Sequence, residues 1–211
     1  MWFATGVLVV VMFVPLVSAV MVVKLAERGS LRSYGIAKGK GRYYLYSPAY
    51  PFVVVAFGLL FVALLGTASI DFTMTRAREM FPQLFPTNQI PWYYIAINLA
   101  TAPFINFLPA LGEEYGWRGF LLPKLIAKYN LIIGLLLTGT IWGLWHAPVI
   151  LMGYNYPHHP NLLGVTAFTV WCILAGFFLG WLRLKSESVF PAALGHGAIH
   201  RLRHVHRSCL G

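Results

Sequence analysis

Apolar residues run through this chain in long blocks, with neither the two-residue alternation of a half-buried strand nor the one-sided stripe of a surface helix. Blocks of bilayer-spanning length lie at about 2–23, 50–70, 91–112, 131–152, 161–182 and from 189 onward. Each predicts a helix, because a helix satisfies its own backbone polar groups inside hydrocarbon. Trp and Tyr gather near the block ends (Tyr43, Tyr44, Tyr46, Tyr50, Trp92, Tyr93, Tyr94, Trp181), as interfacial anchors do, and Tyr34 reads the same way. The expected fold class is all-α, a polytopic transmembrane helix bundle of about six to seven spans. Residues 1–90 read as two N-terminal spans joined by a loop, 91–199 as the core, and 200–211 as an atypical basic tail.

Composition strengthens that picture. Of the 211 residues 58% are hydrophobic and 10% charged, against about 25% charged in an average soluble domain. Too few charges are present to coat a soluble globule, and a disordered chain is excluded for the same reason. The formal charge of +10 would point to nucleic acid in a soluble protein. Here Lys24, Arg28, Arg32, Lys38, Lys40 and Arg42 share the loop at 24–49, and cytoplasmic loops collect such residues. The lipid bilayer is the expected partner, and nucleic acid is not. No Lys or Arg precedes the first apolar block, unlike the basic start of a signal peptide. That block reads as an uncleaved first span with its N-terminus outside. The 71–90 loop balances Asp71 and Glu79 against Arg76 and Arg78, so it reads as outside. Cys172 and Cys209 offer no disulfide framework.

The stretch 91–128 is too long for one straight crossing and carries Pro103, Pro109 and Gly112. Charge favours a single broken crossing that puts Lys124 and Lys128 on the side of the 24–49 loop. The alternative is two crossings turning at Pro109–Gly112. Within this stretch stand Glu113, Glu114 and Arg118, and a charge in the bilayer costs about 2.5–3.5 kcal/mol on insertion scales. At i, i+4 spacing Glu114 and Arg118 meet on one helix face. A structural ion pair thus explains two of the three charges. Glu113 is turned about 100° away, and a buried carboxylate facing elsewhere suits general-base work. His146, in TGTIWGLWHAPVILM, and His196, in FPAALGHGAIH, add imidazoles from two later apolar segments. Either alone reads as a helix-packing residue. A Glu and two His from facing helices suit a water-activating site or a metal site. His158 and His159, in GYNYPHHPN, read as a solvated loop, and Gly176 and Gly180 as a helix-packing face.

Glu113-Glu114-Tyr115-Gly116-Trp117-Arg118 resembles the EExxxR motif of the CPBP intramembrane proteases, the family of type II CAAX prenyl endopeptidases and bacteriocin-processing or immunity proteins. Trp142 to His146 (WGLWH) is similar to its second motif, an aromatic four residues before a histidine, where Phe is the more frequent aromatic. His196 matches the histidine that opens the third. The resemblance covers about 90–199, in family order, one motif per hydrophobic segment. The third motif departs: its pattern is His-x-x-x-Asn, and here the fourth position is His200. After Ile199 the apolar pattern stops at one sharp point, which a natural variant with a basic tail, an artificial end or a shifted reading frame would each produce, the sharpness favouring the last.

The resemblance implies an intramembrane endopeptidase that cuts a peptide or protein substrate at the membrane, with CAAX-box protein maturation among the family's activities. It implies Glu113 as general base with His146, His196 as oxyanion donor, and His200 in the asparagine's place. Glu114 and Arg118 become an orienting pair, with Trp142 beside them. No obligate cofactor is implied. The family has also carried a metalloprotease label, and a zinc ion would need Glu113, His146 and His196 to converge with one open position. The expected setting is the plasma membrane of a prokaryote. Two other classes compete. A non-catalytic immunity or scaffold protein is favoured by the departure at His200. A proton relay or transporter lacks the paired broken helices such folds use.

Overall fold

The computed structural model describes residues 9–65 and 92–209. The 71–90 loop, read from its charges as facing outside, lies outside the described residues. The elements are α1 (Val14–Met21) running into a π-helical turn (Val22–Ala26), a 3₁₀ turn (Leu31–Tyr34), α2 (Tyr43–Leu65) and α3 (Trp92–Ile105). Then follow α4 (Phe107–Glu114), a π-helical segment (Tyr115–Leu121), α5 (Leu122–Lys128), α6 (Leu131–Trp145) and α7 (Ala147–Leu151). The chain closes with α8 (Leu162–Ser186) and α9 (Val189–Cys209). Among the described residues every regular element is helical, so the protein is an all-α bundle. Val9–Ala26 and Leu162–Ser186 are long and apolar enough to cross a membrane, whereas Leu131–Trp145 and Val189–Ile199 are apolar but shorter.

Two boundaries differ from the hydropathy blocks. The 131–152 block divides at His146, which caps the end of α6 while α7 begins at Ala147 with Pro148 in its first turn. Proline has no N–H to continue the α6 ladder, yet it is tolerated in a first turn, where that N–H has no helical partner anyway. In 91–128 the interruption falls at Asn106, between α3 and α4. Pro103 lies inside α3, and Pro109 sits in the first turn of α4, a position that proline accepts. Asn130 and Asn161 start α6 and α8, their side chains accepting N–H bonds from Ile133 and from Leu163 and Gly164.

The described helices group into two compact units. The first comprises Met1–Tyr43 and Pro109–Ala193. In it α6 packs along α8 through glycines. A Cβ added at Gly139 would lie 2.6 Å from Ile173 Cα, and one at Gly143 2.5 Å from Thr169 Cα. Segment 12–34 lies along the Glu113–Arg118 region in the same way. A Cβ at Gly112 would fall 2.8 Å from the Met12 carbonyl, at Gly116 2.4 Å from Pro15 Cβ, and at Gly119 2.7 Å from the Tyr34 carbonyl.

The basic loop is folded onto the corner between α8 and α9. Gly35 and Gly39 adopt left-handed φ of +93° and +66°. Lys40 N–H donates to the Ser186 carbonyl, Val189 N–H to the Gly35 carbonyl and the Ser188 hydroxyl to the Ala37 carbonyl. Lys40 also pairs with Glu187. Nearby, Glu27 binds both Lys124 and Tyr34. Those hydrogen bonds, Lys124 first, hold the Glu27 carboxyl below its ordinary range, and Glu27 raises Lys124 in turn. Tyr34 and Tyr43 therefore do more than anchor an interface. Tyr34 also packs on Phe120, and Tyr43 is buried edge-on against Trp181.

The second unit comprises Tyr44–Leu108 and Leu194–Gly211. Its α9 stays helical through the basic tail to Cys209, past the point after Ile199 where apolar residues stop. Overpacking a backbone contact costs about 1–3 kcal/mol, so Gly116→Val should lower stability by that amount. Thermal unfolding in detergent checks this, and an unchanged melting temperature would contradict the packing of segment 12–34 on the motif.

Candidate active site

Glu113 and Glu114 end α4, and the chain then widens into i→i+5 bonding through Tyr115–Leu121. Such π-helical stretches are uncommon and collect at functional positions. Both carboxylates and Arg118 are buried, with 1%, 0% and 0% of their surfaces exposed. Burial of three ionisable groups needs compensation, because each ion taken from water costs several kcal/mol. Part of it is an ion pair: Arg118 Nη1 donates to Glu114 Oε1 at 2.8 Å. This is the contact that i, i+4 spacing predicts.

Glu113 points the other way, onto α6. Its Oε2 accepts the indole N–H of Trp142 at 2.6 Å. Trp142 is itself buried, and the Arg118 guanidinium lies over its ring, 4.2 Å from the centroid. One guanidinium thus pairs with the second carboxylate and braces the indole that holds the first. Gly176 of α8 leaves room for this arrangement, since a Cβ there would sit 3.3 Å from Arg118 Nη2.

His146 lies one turn beyond Trp142, and its Nδ1 is 2.8 Å from the Trp142 carbonyl oxygen. A carbonyl only accepts, so in the neutral imidazole Nδ1 carries the proton and Nε2 the lone pair. The ring packs on Phe168 (centroids 4.8 Å) and edge-on to Trp142 (6.1 Å). Phe168 stacks on Trp171 and meets the edge of Tyr156, forming an aromatic wall beside His146. Within the first unit, then, Glu113, Glu114, Arg118, Trp142 and His146 are joined by direct contacts.

His196 belongs to the second unit, where it is 2% exposed in α9 between Gly195 and Gly197. The side chain of His200 lies outside the described residues. His158 and His159 are exposed on the loop before α8, as their surroundings predict. The first unit joins Glu113 and His146 through Trp142 but brings no third ligand to them, whereas a catalytic zinc takes three protein ligands. Among the described residues no group of three or more His, Cys, Asp or Glu side chains is placed to hold an ion.

Residues 91–201, just over half of the chain, match the family described as type II CAAX prenyl endopeptidase Rce1-like. The chain belongs to this family. CAAX prenyl protease 2 of Methanococcus maripaludis is 30% identical over 101 residues, which cover 46% of this chain and 37% of that protein. The match thus spans well under half of the relative's length. All seven site candidates of this Rce1-like chain, from Glu113 to His200, fall within the matched 91–201.

Three contributors escape a reading by motif alone. Phe168 and Trp171 look like ordinary core residues of an apolar helix, and only the packing of α8 on α6 sets Phe168 against His146 and Trp171 against Trp142. Asn106 is an amide inside the apolar run FINFLP, a visible signal, and it occupies the break between α3 and α4. Removing one partner of a buried pair costs about 3–5 kcal/mol, whereas replacing both by apolar residues is often near neutral. Arg118→Met should therefore destabilise strongly, and Arg118→Met combined with Glu114→Met should recover much of the loss. Denaturant unfolding in detergent reads both, and equal losses in the single and double variants would contradict a coupled pair.

Proposed function

We propose that this Rce1-like chain is an intramembrane endopeptidase that hydrolyses a peptide bond of a membrane-associated substrate with water activated by Glu113 and His146. The observation that carries this reading is the buried Glu113 held by the Trp142 N–H, with His146 tied to the Trp142 carbonyl one turn on. A general base has to present an oriented lone pair in a fixed place. Trp142 supplies that for both residues, donating from its ring to Glu113 and accepting at its carbonyl from His146. Family membership and the name of the archaeal relative support the same class of reaction.

In the proposed step, Glu113 takes a proton from water, and the oxygen adds to the scissile carbonyl carbon. His146 orients the water or shares the proton through Nε2. His196 donates to the oxyanion of the tetrahedral intermediate. Collapse breaks the C–N bond, and the proton held by Glu113 passes to the leaving amine. His200 stands where the family pattern has asparagine and donates a second N–H. Glu114 and Arg118 hold the helix and brace Trp142. Glu113 acts on water rather than on the scissile carbon, and no serine or cysteine nucleophile is required, so no acyl-enzyme forms. The proposed setting is a multi-pass position in a prokaryotic plasma membrane, with residues 91–199 as the catalytic core.

One sequence feature favours the alternative, a non-catalytic immunity or scaffold protein: the motif asparagine is replaced by His200. A single assay separates the two. Purified protein in lipid nanodiscs is given fluorogenic peptides bearing either a farnesyl-cysteine CAAX end or a palmitoyl anchor. General-base catalysis contributes about 10²–10⁴-fold, so Glu113→Gln and His146→Ala should each lower kcat by that factor while leaving the melting temperature in place. Cleavage at the wild-type rate in both variants would overturn the assignment. The enzyme reading also fails if wild-type protein cuts neither peptide class and its biological effect survives Glu113→Gln.

A further inference from the structure

The α9 helix carries His196 in a turn that is intrinsically weak. Gly195 and Gly197 flank it, and each glycine in a helix interior costs about 1 kcal/mol relative to alanine. Something outside the helix has to fix that turn if its histidine is to hold one direction. Within the second unit that something is the break between α3 and α4. Asn106 Nδ2 donates to the Ala102 carbonyl at 3.0 Å and across to the Gly197 carbonyl at 3.2 Å. Both partners are acceptors, which assigns the amide nitrogen to this side. The two backbones also touch here, since a Cβ at Gly197 would lie 2.8 Å from the Pro103 carbonyl and 3.3 Å from Asn106 Cβ. The crossing of α3 with α9 is thus set at the residue next to His196.

We propose that Asn106 is a positioning residue for His196, fixing the Gly195–Gly197 turn through its bond to the Gly197 carbonyl; the role in turnover rests on the endopeptidase reading above. A mechanical reason places an amide at this point. A side chain that spans from its own helix to a neighbouring carbonyl needs two N–H donors on one nitrogen, and asparagine is the shortest residue that has them. The hydroxyls of Thr101, Thr138, Thr140 and Thr169 each bond back to the carbonyl four residues before, whereas the Asn106 amide makes that back-bond and also reaches across to α9.

That comparison supplies the discriminating variant. Asn106→Ser keeps a back-bond to the Ala102 carbonyl, in the manner of those threonines, but is too short to reach Gly197. It removes the cross-helix bond alone. Two measurements follow on full-length protein in nanodiscs. The first is the rate of His196 modification by diethylpyrocarbonate, read by mass spectrometry, which needs no catalysis. The second is the split of kcat and KM on whichever anchored peptide the wild type cleaves. Misplacing one donor to a developing oxyanion costs about 10²–10³-fold at most. Asn106→Ser is therefore expected to lower kcat by about tenfold with KM within about twofold. His196 modification should rise several-fold, with the melting temperature near that of the wild type. Asn106→Ala should act alike, and if it fails to fold, Asn106→Ser decides. An unchanged His196 modification rate in Asn106→Ser overturns the proposal whether or not the chain is a protease. Faster modification with unchanged kcat leaves Asn106 as the brace of the turn and overturns the part of His196 in catalysis instead.

Discussion

An arginine that has no route to water organises the motif region of this protein. Arg118 is fully buried, pairs with Glu114 and lies against the face of Trp142, whose ring nitrogen holds Glu113. Each ion in this set would cost several kcal/mol if left uncompensated in an apolar interior. Their compensation is mutual, so the positions of α4, the π-helical segment and α6 are fixed together. A buried pair of this kind contributes little net stability compared with well-packed apolar residues. Its worth lies in geometry, because the ion pair, the guanidinium–ring contact and the indole N–H bond fix one another.

Close packing holds that arrangement in place. Glycines at 112, 116 and 119 let segment 12–34 touch the motif backbone, and Gly139 and Gly143 bring α6 against α8. A larger residue at any of them would push the helices apart and loosen the contacts that hold Glu113 and Trp142. The N-terminal helix, which matches no diagnostic motif in sequence, thereby packs against the backbone on either side of Glu113 and Glu114. The basic loop extends the same logic outward, since its left-handed glycines dock it on the α8–α9 corner that leads into the helix of His196.

Much of this was legible in the residues. Scarce charge and long apolar blocks give an all-helical bundle, and i, i+4 spacing gives the Glu114–Arg118 pair. That Glu113 faces a different neighbour follows from helix geometry alone. The neighbour itself does not: nothing in WGLWH says that the first tryptophan rather than the second offers its N–H to Glu113, because that depends on how α6 rotates against α4. Helix lengths were harder still. Pro148 ends α6 at a residue that hydropathy counts as part of one span, while Pro109 lies in the first turn of α4, where the two-crossing alternative would put a turn. Proline breaks or begins a helix according to which N–H is already unpartnered, and that is a tertiary matter. Asn106 was visible as a polar residue in an apolar run, but its partner lies 91 residues along the chain, beyond any local pattern.

The central claim is that Glu113 acts on water and forms no bond to the substrate. Turnover in H₂¹⁸O tests it directly, with the oxygen content of both the product and the Glu113 peptide read by mass spectrometry. A general base leaves its own oxygens untouched, so the account predicts one ¹⁸O in the new product carboxylate and none in Glu113 after many turnovers. Appearance of ¹⁸O in Glu113 would show a mixed anhydride opened at the enzyme carbonyl, and would contradict it.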